Sequence, residues 1–391
     1  MNIREMVEKI EPYIIERRRY YHEYPEESFK EIKTIKELKK DLEKIGINDI
    51  TLCKSCHGLW AMIKGGKPGK TIALRSDIDA LKVEEETGLP FASKNGYMHA
   101  CGHDNHMAML LGAAKILNEI KDELKGNVKI IFQPAEEAAS GAEMMIKEGV
   151  MDGVDAIYGA HIWGNFDAPL IDVTPGNRMA GCHTFTIKVE GTAAHGSAPN
   201  LGNDAIVAAA SIITNLQSVV SRINDPLIPL VLTIGEIHGG QRFNIIANHV
   251  EMEGTVRTFS RDTKIEESIR NIIESTGKAM NVTATLDYRY LPKPVINENK
   301  ELNTLAYNAV VKLYGKEGIG HLTTLMGSED FSAFGTKAPY IFAFIGSRNV
   351  KKGCIYTNHH SKYDVDEDVL KRGAGVMVQF AYDYLENTHK E

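Results

Sequence analysis

Two adjacent glutamates, Glu136 and Glu137, close the segment Gln133-Pro134-Ala135-Glu136-Glu137 directly after the apolar run 128–132. Upstream, Cys101-Gly102-His103-Asp104 precedes a helical pattern that begins near Asn105. Paired carboxylates with a thiol and an imidazole are the groups of a metal hydrolase. Side chains that leave a strand end in succession diverge, so one glutamate is expected to bind metal while the other moves protons. A helix N-terminus beside Cys101 and His103 favours the thiolate form that a metal ligand must take. Thiolate, imidazole and carboxylate together suit zinc or another first-row divalent ion. His161 follows the run 156–160. Asn358-His359-His360-Ser361 is loop-like sequence able to return to the same place, and the residues alone do not choose between its two histidines.

A sheet must position these groups. The compact runs 71–74, 128–132 and 156–160 read as buried strands separated by helical patterns at 105–120 and 139–148, which is the grammar of a mostly parallel sheet covered by helices. Active sites of such sheets lie beyond the carboxyl ends of the strands. Each run is followed there by candidates: Arg75-Ser76-Asp77-Ile78-Asp79, then Glu136-Glu137, then His161. The first 45 residues read as two helices, the second with Ile32, Ile35, Leu38 and Leu42 on one face until Gly46 ends it. From 182 the rhythm changes to strand 184–190, helix 202–221, strands 227–237 and 249–259, helix 262–279 and strand 282–290, the split β-α-β-β-α-β order of ferredoxin-like domains. In its first helix Ile206, Ala209, Ile213, Leu216 and Val220 are expected to form the buried stripe. An apolar run at 341–345 and a last helix from about Asp366 return the chain to the first pattern. The expected architecture is α/β: residues 1–181 and 292–391 form a helix-flanked, mostly parallel sheet, with an α+β domain, 182–291, inserted in it.

A chain of 391 residues with 43% apolar content exceeds the size at which single cores usually stop growing, in keeping with two domains. The net charge of -7, without a basic block, argues against a nucleic-acid partner. The N-terminus alternates charged and apolar residues without an export core, and no run approaches the roughly 20 apolar residues of a membrane span. A cytoplasmic location with reduced thiols is therefore expected. Cys53-Lys54-Ser55-Cys56-His57 formally fits the signature for covalent haem attachment. The missing export signal and the strand-like stretch 59–64 that follows argue against haem, leaving this cysteine pair without a role.

The chain resembles the co-catalytic metallopeptidase-like amidohydrolases, the family of hippurate hydrolases, bacterial N-acyl-amino-acid deacylases and plant auxin-conjugate hydrolases. The resemblance runs through His22-Glu23-Tyr24-Pro25-Glu26, Arg75 to Leu81, His99-Ala100-Cys101-Gly102-His103-Asp104, Gln133 to Glu137, His195 to Asp204, Gly327-Ser328-Glu329-Asp330-Phe331 and His359-His360. It implies a zinc-peptidase-like catalytic domain holding two divalent ions, of zinc, manganese, cobalt or nickel. The implied ligands are Cys101, His103, Glu137, His161 and His359, with Glu136 as general acid/base. His359 is chosen over His360 because the family places its ligand at the first of the two positions, although Ser361 stands where proline is usual. The implied reaction releases an amino acid and a carboxylate from an N-acyl-L-amino acid: metal-activated water gives its proton to Glu136, which returns it to the leaving amine. Asp77 would hold a ligand imidazole in orientation. The inserted domain would be a lid through which the chain forms a homodimer. There His195 would reach a neighbouring subunit's site to stabilise the oxyanion, while Asn244 and Arg257 would contact the substrate, Arg257 through its planar fork. In the segment carrying Asn244, Asn248 replaces a usual acid.

Two enzyme alternatives share these residues: a dipeptidase or carboxypeptidase, and an N-acetyl-diaminopimelate deacetylase. A mechanism with Cys101 as nucleophile and His103 as base would predict inactivation by alkylation and indifference to chelators, and it gives the glutamates no purpose. A catalytically silent metal- or ligand-binding relative is the non-enzyme alternative, yet every implied ligand and the acid/base are present.

Overall fold

A computed structural model describes residues 2–387. The short apolar runs lie inside longer strands. A seven-stranded sheet has the order Ile50–Leu52, Leu59–Lys64, Lys125–Gln133, Lys67–Asp77, Ala156–Asp167, Tyr340–Arg348 and Ile171–Asp172. Its four inner strands, from Lys125–Gln133 to Tyr340–Arg348, run parallel, and the flanking strands pair antiparallel. The inner strands are buried on both faces, which explains why they read as continuous rather than alternating apolar runs.

One of them extends further than its sequence suggests. Ala156–Asp167 keeps pairing with Tyr340–Arg348 past the end of the apolar run, placing His161 opposite Phe344. His161 is thus within a strand and not in the loop after it, because a second strand continues to satisfy its backbone. Helices Ile3–Glu23, Ile32–Lys44, His103–Glu119 and Leu370–Asn387 contribute to the same core, where Ile14, Leu38, Leu110, Ile130, Tyr158 and Phe380 are buried.

The chain forms two compact units. One comprises residues up to Gly176, Ile296–Thr323 and Asp330 onward; the other comprises Asn177–Val295 and Thr324–Glu329. The second unit holds an antiparallel sheet of order Thr283–Tyr290, Gly181–Glu190, His249–Thr258, Leu230–Gly239, packed with helices Ala205–Ser218 and Lys264–Ala279. The first of those helices turns its core face differently from the expected stripe. Ala205, Ala208, Ala209, Ile212, Leu216 and the following Val219 are buried, whereas Ile206 is 49% exposed. The helix is apolar around much of its circumference, so periodicity alone does not fix its phase.

With its π-helical continuation Val219–Ile223, the segment Ala205–Ile223 is long and apolar enough to cross a membrane by composition. This departs from the expectation that no segment approaches that length. Here its buried stripe packs on the sheet.

Candidate metal centre

Strand Lys67–Asp77 ends on a carboxylate whose oxygens are both engaged. Asp77 Oδ1 accepts a hydrogen bond from His106 Nδ1 at 2.6 Å and Oδ2 one from Arg75 at 2.8 Å. His106 Nε2 accepts the Ile162 N–H at 2.8 Å, so hydrogen bonding assigns the ring proton to Nδ1 and leaves no lone pair for an ion. Arg75 also donates to the Gln133 side chain, and Gln133 donates to Asp330 at 2.7 Å, a buried clamp that fixes the end of strand Lys125–Gln133.

Beyond Gln133 the chain leaves the sheet at once. Ala135 has a left-handed backbone, φ 50°, with its N–H on Glu31 at 2.9 Å. Glu136 and Glu137 therefore lie on a turn, where the alternation of a strand no longer applies. Instead of diverging, Glu136 Oε2 and Glu137 Oε1 lie 3.9 and 4.0 Å from the same atom, His103 Nε2. Asp79 fixes both backbones: its carboxylate accepts the N–H groups of Glu136 and Glu137, each at 3.1 Å, and the Ser28 hydroxyl. The carbonyl oxygen of Asp79 accepts His103 Nδ1–H at 2.8 Å, turning Nε2 toward the glutamates.

Cys101 is the point of convergence. Its Sγ lies 3.3 Å from His161 Nε2 and 3.3 Å from His359 Nε2. His359 Nε2 is 3.6 Å from Glu137 Oε1. His161 donates Nδ1–H to the Ile162 carbonyl at 2.6 Å, which leaves its Nε2 lone pair facing the sulfur. Gly102, between Cys101 and His103, has φ 94° and would bring a Cβ within 2.5 Å of the Ile162 side chain, so only glycine fits there. His359 also has a left-handed backbone, φ 70°, held by its N–H on the Ala100 carbonyl at 2.7 Å. Asn358 pins that loop by donating to the Cys101 and Ile162 carbonyls and accepting the Gly164 N–H. His360 turns away, its Nδ1 accepting the Lys362 N–H and its ring stacked on Tyr356.

The donor set fits a divalent ion. Thiol, imidazole and carboxylate atoms come within 4.8 Å of one another in overlapping groups: Cys101, His103 and His161; Cys101, Glu137 and His359; His103, Glu136 and Glu137. Two of the converging atoms, His103 Nε2 and Glu137 Oε1, are buried without a hydrogen-bond partner. Such orphans are costly unless something else satisfies them.

Charge is distributed in keeping with that need. Burial pushes the Glu137 carboxyl up to about 7 against the pull of His103. Burial alone would raise Asp77, but the charges of His103 and Arg75 and the His106 hydrogen bond outweigh it and hold the carboxylate well below its usual range. His103 is held up to about 10, the Asp77 and Asp79 carboxylates overcoming the effect of burial. Burial keeps His161 well below its usual value, as a neutral ring. The Cys101 thiol departs from the expectation of a favoured thiolate: burial, with Glu137 and Glu136 nearby, pushes it well above its ordinary value. Complete burial among carboxylates outweighs a half-charge at a helix end, so the protein alone does not ionise this thiol.

Of the expected site residues, Cys101, His103, Glu136, Glu137, His161 and His359 share this cluster. Asp77 sits on His106 rather than on any of the five expected ligand residues, because the Asp79 carbonyl already takes His103 Nδ1. In the second unit, Asn244 accepts the Gly196 N–H through its carbonyl, and His195 Nδ1 bonds the Ser197 hydroxyl at 2.7 Å. Arg257 donates to Ser328 at 2.8 Å. Asp79, His106 and Asn358 carry positioning roles to which no part was assigned from sequence. Two signals pointed to them: Asp77-x-Asp79 has the period of a strand, and His103-x-x-His106 puts two rings on one helix face.

The model of the Peptidase family M20/M25/M40 matches residues 73–383. Among similar proteins, thermostable carboxypeptidase 1 of Saccharolobus solfataricus is 41% identical over 374 residues, 94% of each chain. N-acetylcysteine deacetylase of Bacillus subtilis is 38% identical over 377 residues, 95% of this chain and 97% of that one. Among solved structures, the YXEP protein of Bacillus subtilis, described as a dinuclear metal binding peptidase from the M20 family, superposes with a TM-score of 0.86. It is 34% identical, with 97% of this chain and 99% of that one covered.

Proposed function

The chain belongs to peptidase family M20/M25/M40 and is a metal-dependent amide hydrolase; from that premise we propose that it cleaves N-acyl-L-amino acids, carrying N-acetyl, benzoyl or similar acyl groups, to a free amino acid and a carboxylate. The observation that carries this reading is the convergence of Glu137, His161 and His359 with Cys101 and His103, beside a second carboxylate that is not needed as a ligand. We assign two divalent ions to Cys101, His103, Glu137, His161 and His359. Bound there, they would supply Lewis acidity toward water and the scissile carbonyl. Glu136 takes the proton from the attacking water and returns it to the leaving nitrogen. Asp79 keeps that carboxylate in place through the Glu136 backbone N–H. Substrate contacts are assigned to His195, Asn244 and Arg257. A homodimer through the second unit is supported by its open edge strand Leu230–Gly239, where Val231 and Ile237 are exposed, and by the exposed Ile206 and Val207.

Carboxypeptidase action on short peptides is the second reading, favoured by the likeness to the Saccharolobus solfataricus carboxypeptidase. Both readings meet one experiment. Metal-stripped protein is given zinc, manganese, cobalt or nickel and offered N-acetyl and N-benzoyl amino acids beside acyl-free dipeptides. Activity that returns only with metal and favours the acyl amino acids is the expected result. Preference for the dipeptides would replace this reading with the peptidase, and equal activity without metal would overturn both.

A further inference from the structure

The Cys53-Lys54-Ser55-Cys56 bend joins strands Ile50–Leu52 and Leu59–Lys64 at the sheet edge, outside the metal cluster. Among the five cysteines, Cys101, Cys182 and Cys354 are buried, and only Cys53 and Cys56 are partly exposed. The bend is built rather than loose. The Glu148 carboxylate accepts the N–H groups of Lys54 and Ser55 at 2.7 and 2.5 Å, and Cys53 N–H bonds the Gly58 carbonyl at 2.9 Å. Within it the Cys53 and Cys56 thiols are hydrogen-bond partners. A turn spaced C-x-x-C with touching sulfurs meets the geometric demand of a short-loop disulfide.

We propose that Cys53 and Cys56 are a reversible dithiol/disulfide couple that exchanges with small-molecule disulfides. The two sulfurs have different parts. Cys56 S–H donates to Cys53, which lowers the Cys53 thiol below its ordinary value despite partial burial and the Glu148 charge, and raises that of Cys56. Cys53 is therefore the attacking thiolate and Cys56 the resolving thiol. Cys53 Sγ attacks one sulfur of R–S–S–R, that bond breaks, and the first thiol leaves with the proton Cys53 gave up. Cys56 then loses its proton, attacks Cys53 Sγ and expels the second thiol. Two protein thiols are oxidised by two electrons, and one small-molecule disulfide is reduced to two thiols. The couple lies close to the catalytic turn, since a Cβ at Gly58 would stand 2.9 Å from Pro134.

The test equilibrates the whole chain in buffers of graded reduced and oxidised glutathione, quenches in acid, alkylates the unfolded protein and maps its peptides by mass spectrometry. The peptide holding both cysteines is expected to lose two hydrogens in the oxidising buffers and regain them with dithiothreitol, while Cys101, Cys182 and Cys354 stay alkylatable. In Cys56→Ser the second step is blocked, and a glutathione adduct should build up on Cys53 faster, by roughly tenfold or more, than on Cys56 in Cys53→Ser. An unchanged thermal melt serves as the folding control for both variants. The proposal is overturned if Cys53 and Cys56 remain separately alkylatable in the most oxidising buffer, or if the two single variants form adducts at the same rate.

Discussion

At the scale of single residues, the two adjacent glutamates have separable tasks despite their similar distances from His103 Nε2. Glu137 Oε1 is an orphaned buried oxygen also within 3.6 Å of His359, the position of a ligand. Glu136→Gln keeps the shape and removes the proton acceptor. It should cut kcat by about 10²–10⁴-fold while metal stoichiometry stays at the wild-type level. Glu137→Ala should instead lower metal content, with activity partly restored by excess metal. Elemental analysis alongside initial rates separates the two, and matching metal loss in both variants would refute the division of labour. Which residue types could do this chemistry was legible in the sequence. That both side chains point to one side was not, because the left-handed Ala135 turn replaces the strand that adjacency suggested.

At the scale of elements, the site is built where strands end and a helix begins. Strand Lys125–Gln133 stops in the clamp of Arg75, Gln133 and Asp330, and Asp79 then fixes the turn beyond it. Helix His103–Glu119 starts immediately after Gly102, whose positive φ lets Cys101 and His103 face the same space. Gly102→Ala should cost at least roughly 1–2 kcal/mol in backbone strain, added to the clash with Ile162, and should weaken metal retention with it. Melting curves with and without added metal test this; an alanine variant as stable and as metal-rich as the parent would rule it out. Strand and helix identities followed from apolar periodicity, whereas the reach of strand Ala156–Asp167 past His161 depended on a partner almost two hundred residues later in the chain.

At the scale of the whole molecule, distant segments are tied by buried charge. Arg18 of the first helix bonds Asp104 at 2.9 Å and also reaches Asp364 and Glu367 near the last helix, with Arg18 and Asp104 side chains 2% and 0% exposed. Removing one partner of such a pair typically costs about 3–5 kcal/mol, the expected loss for Arg18→Ala at neutral pH. Burial would raise Asp104, but Arg18 and His22 hold it below the usual carboxylate range. A depressed carboxyl contributes stability above its unfolded value, near ~3.9, and loses it as pH falls through the folded value. The gap between parent and variant in urea midpoints should therefore narrow below about pH 4; a gap that widened on acidification would count against the pair. Assembly is testable in the same way. Val231→Lys with Ile237→Lys, on the open edge strand, should convert a sedimenting dimer to monomer, and a dimer insensitive to both would place the interface elsewhere.

Taken alone, the sequence determined the fold class, the family and the reaction type. Apolar periodicity is set locally by which side chains must leave water, and the residue types that bind metal and move protons are visible wherever they stand. Tertiary structure decided what depends on meetings between distant segments: that the His359 ring and not that of His360 lies beside Cys101, that Asp79 organises the turn while Asp77 serves His106, and that the Cys101 thiol is raised rather than lowered. Those outcomes rest on burial and on backbone groups brought together across the sheet, and neither is written in the local order of residues.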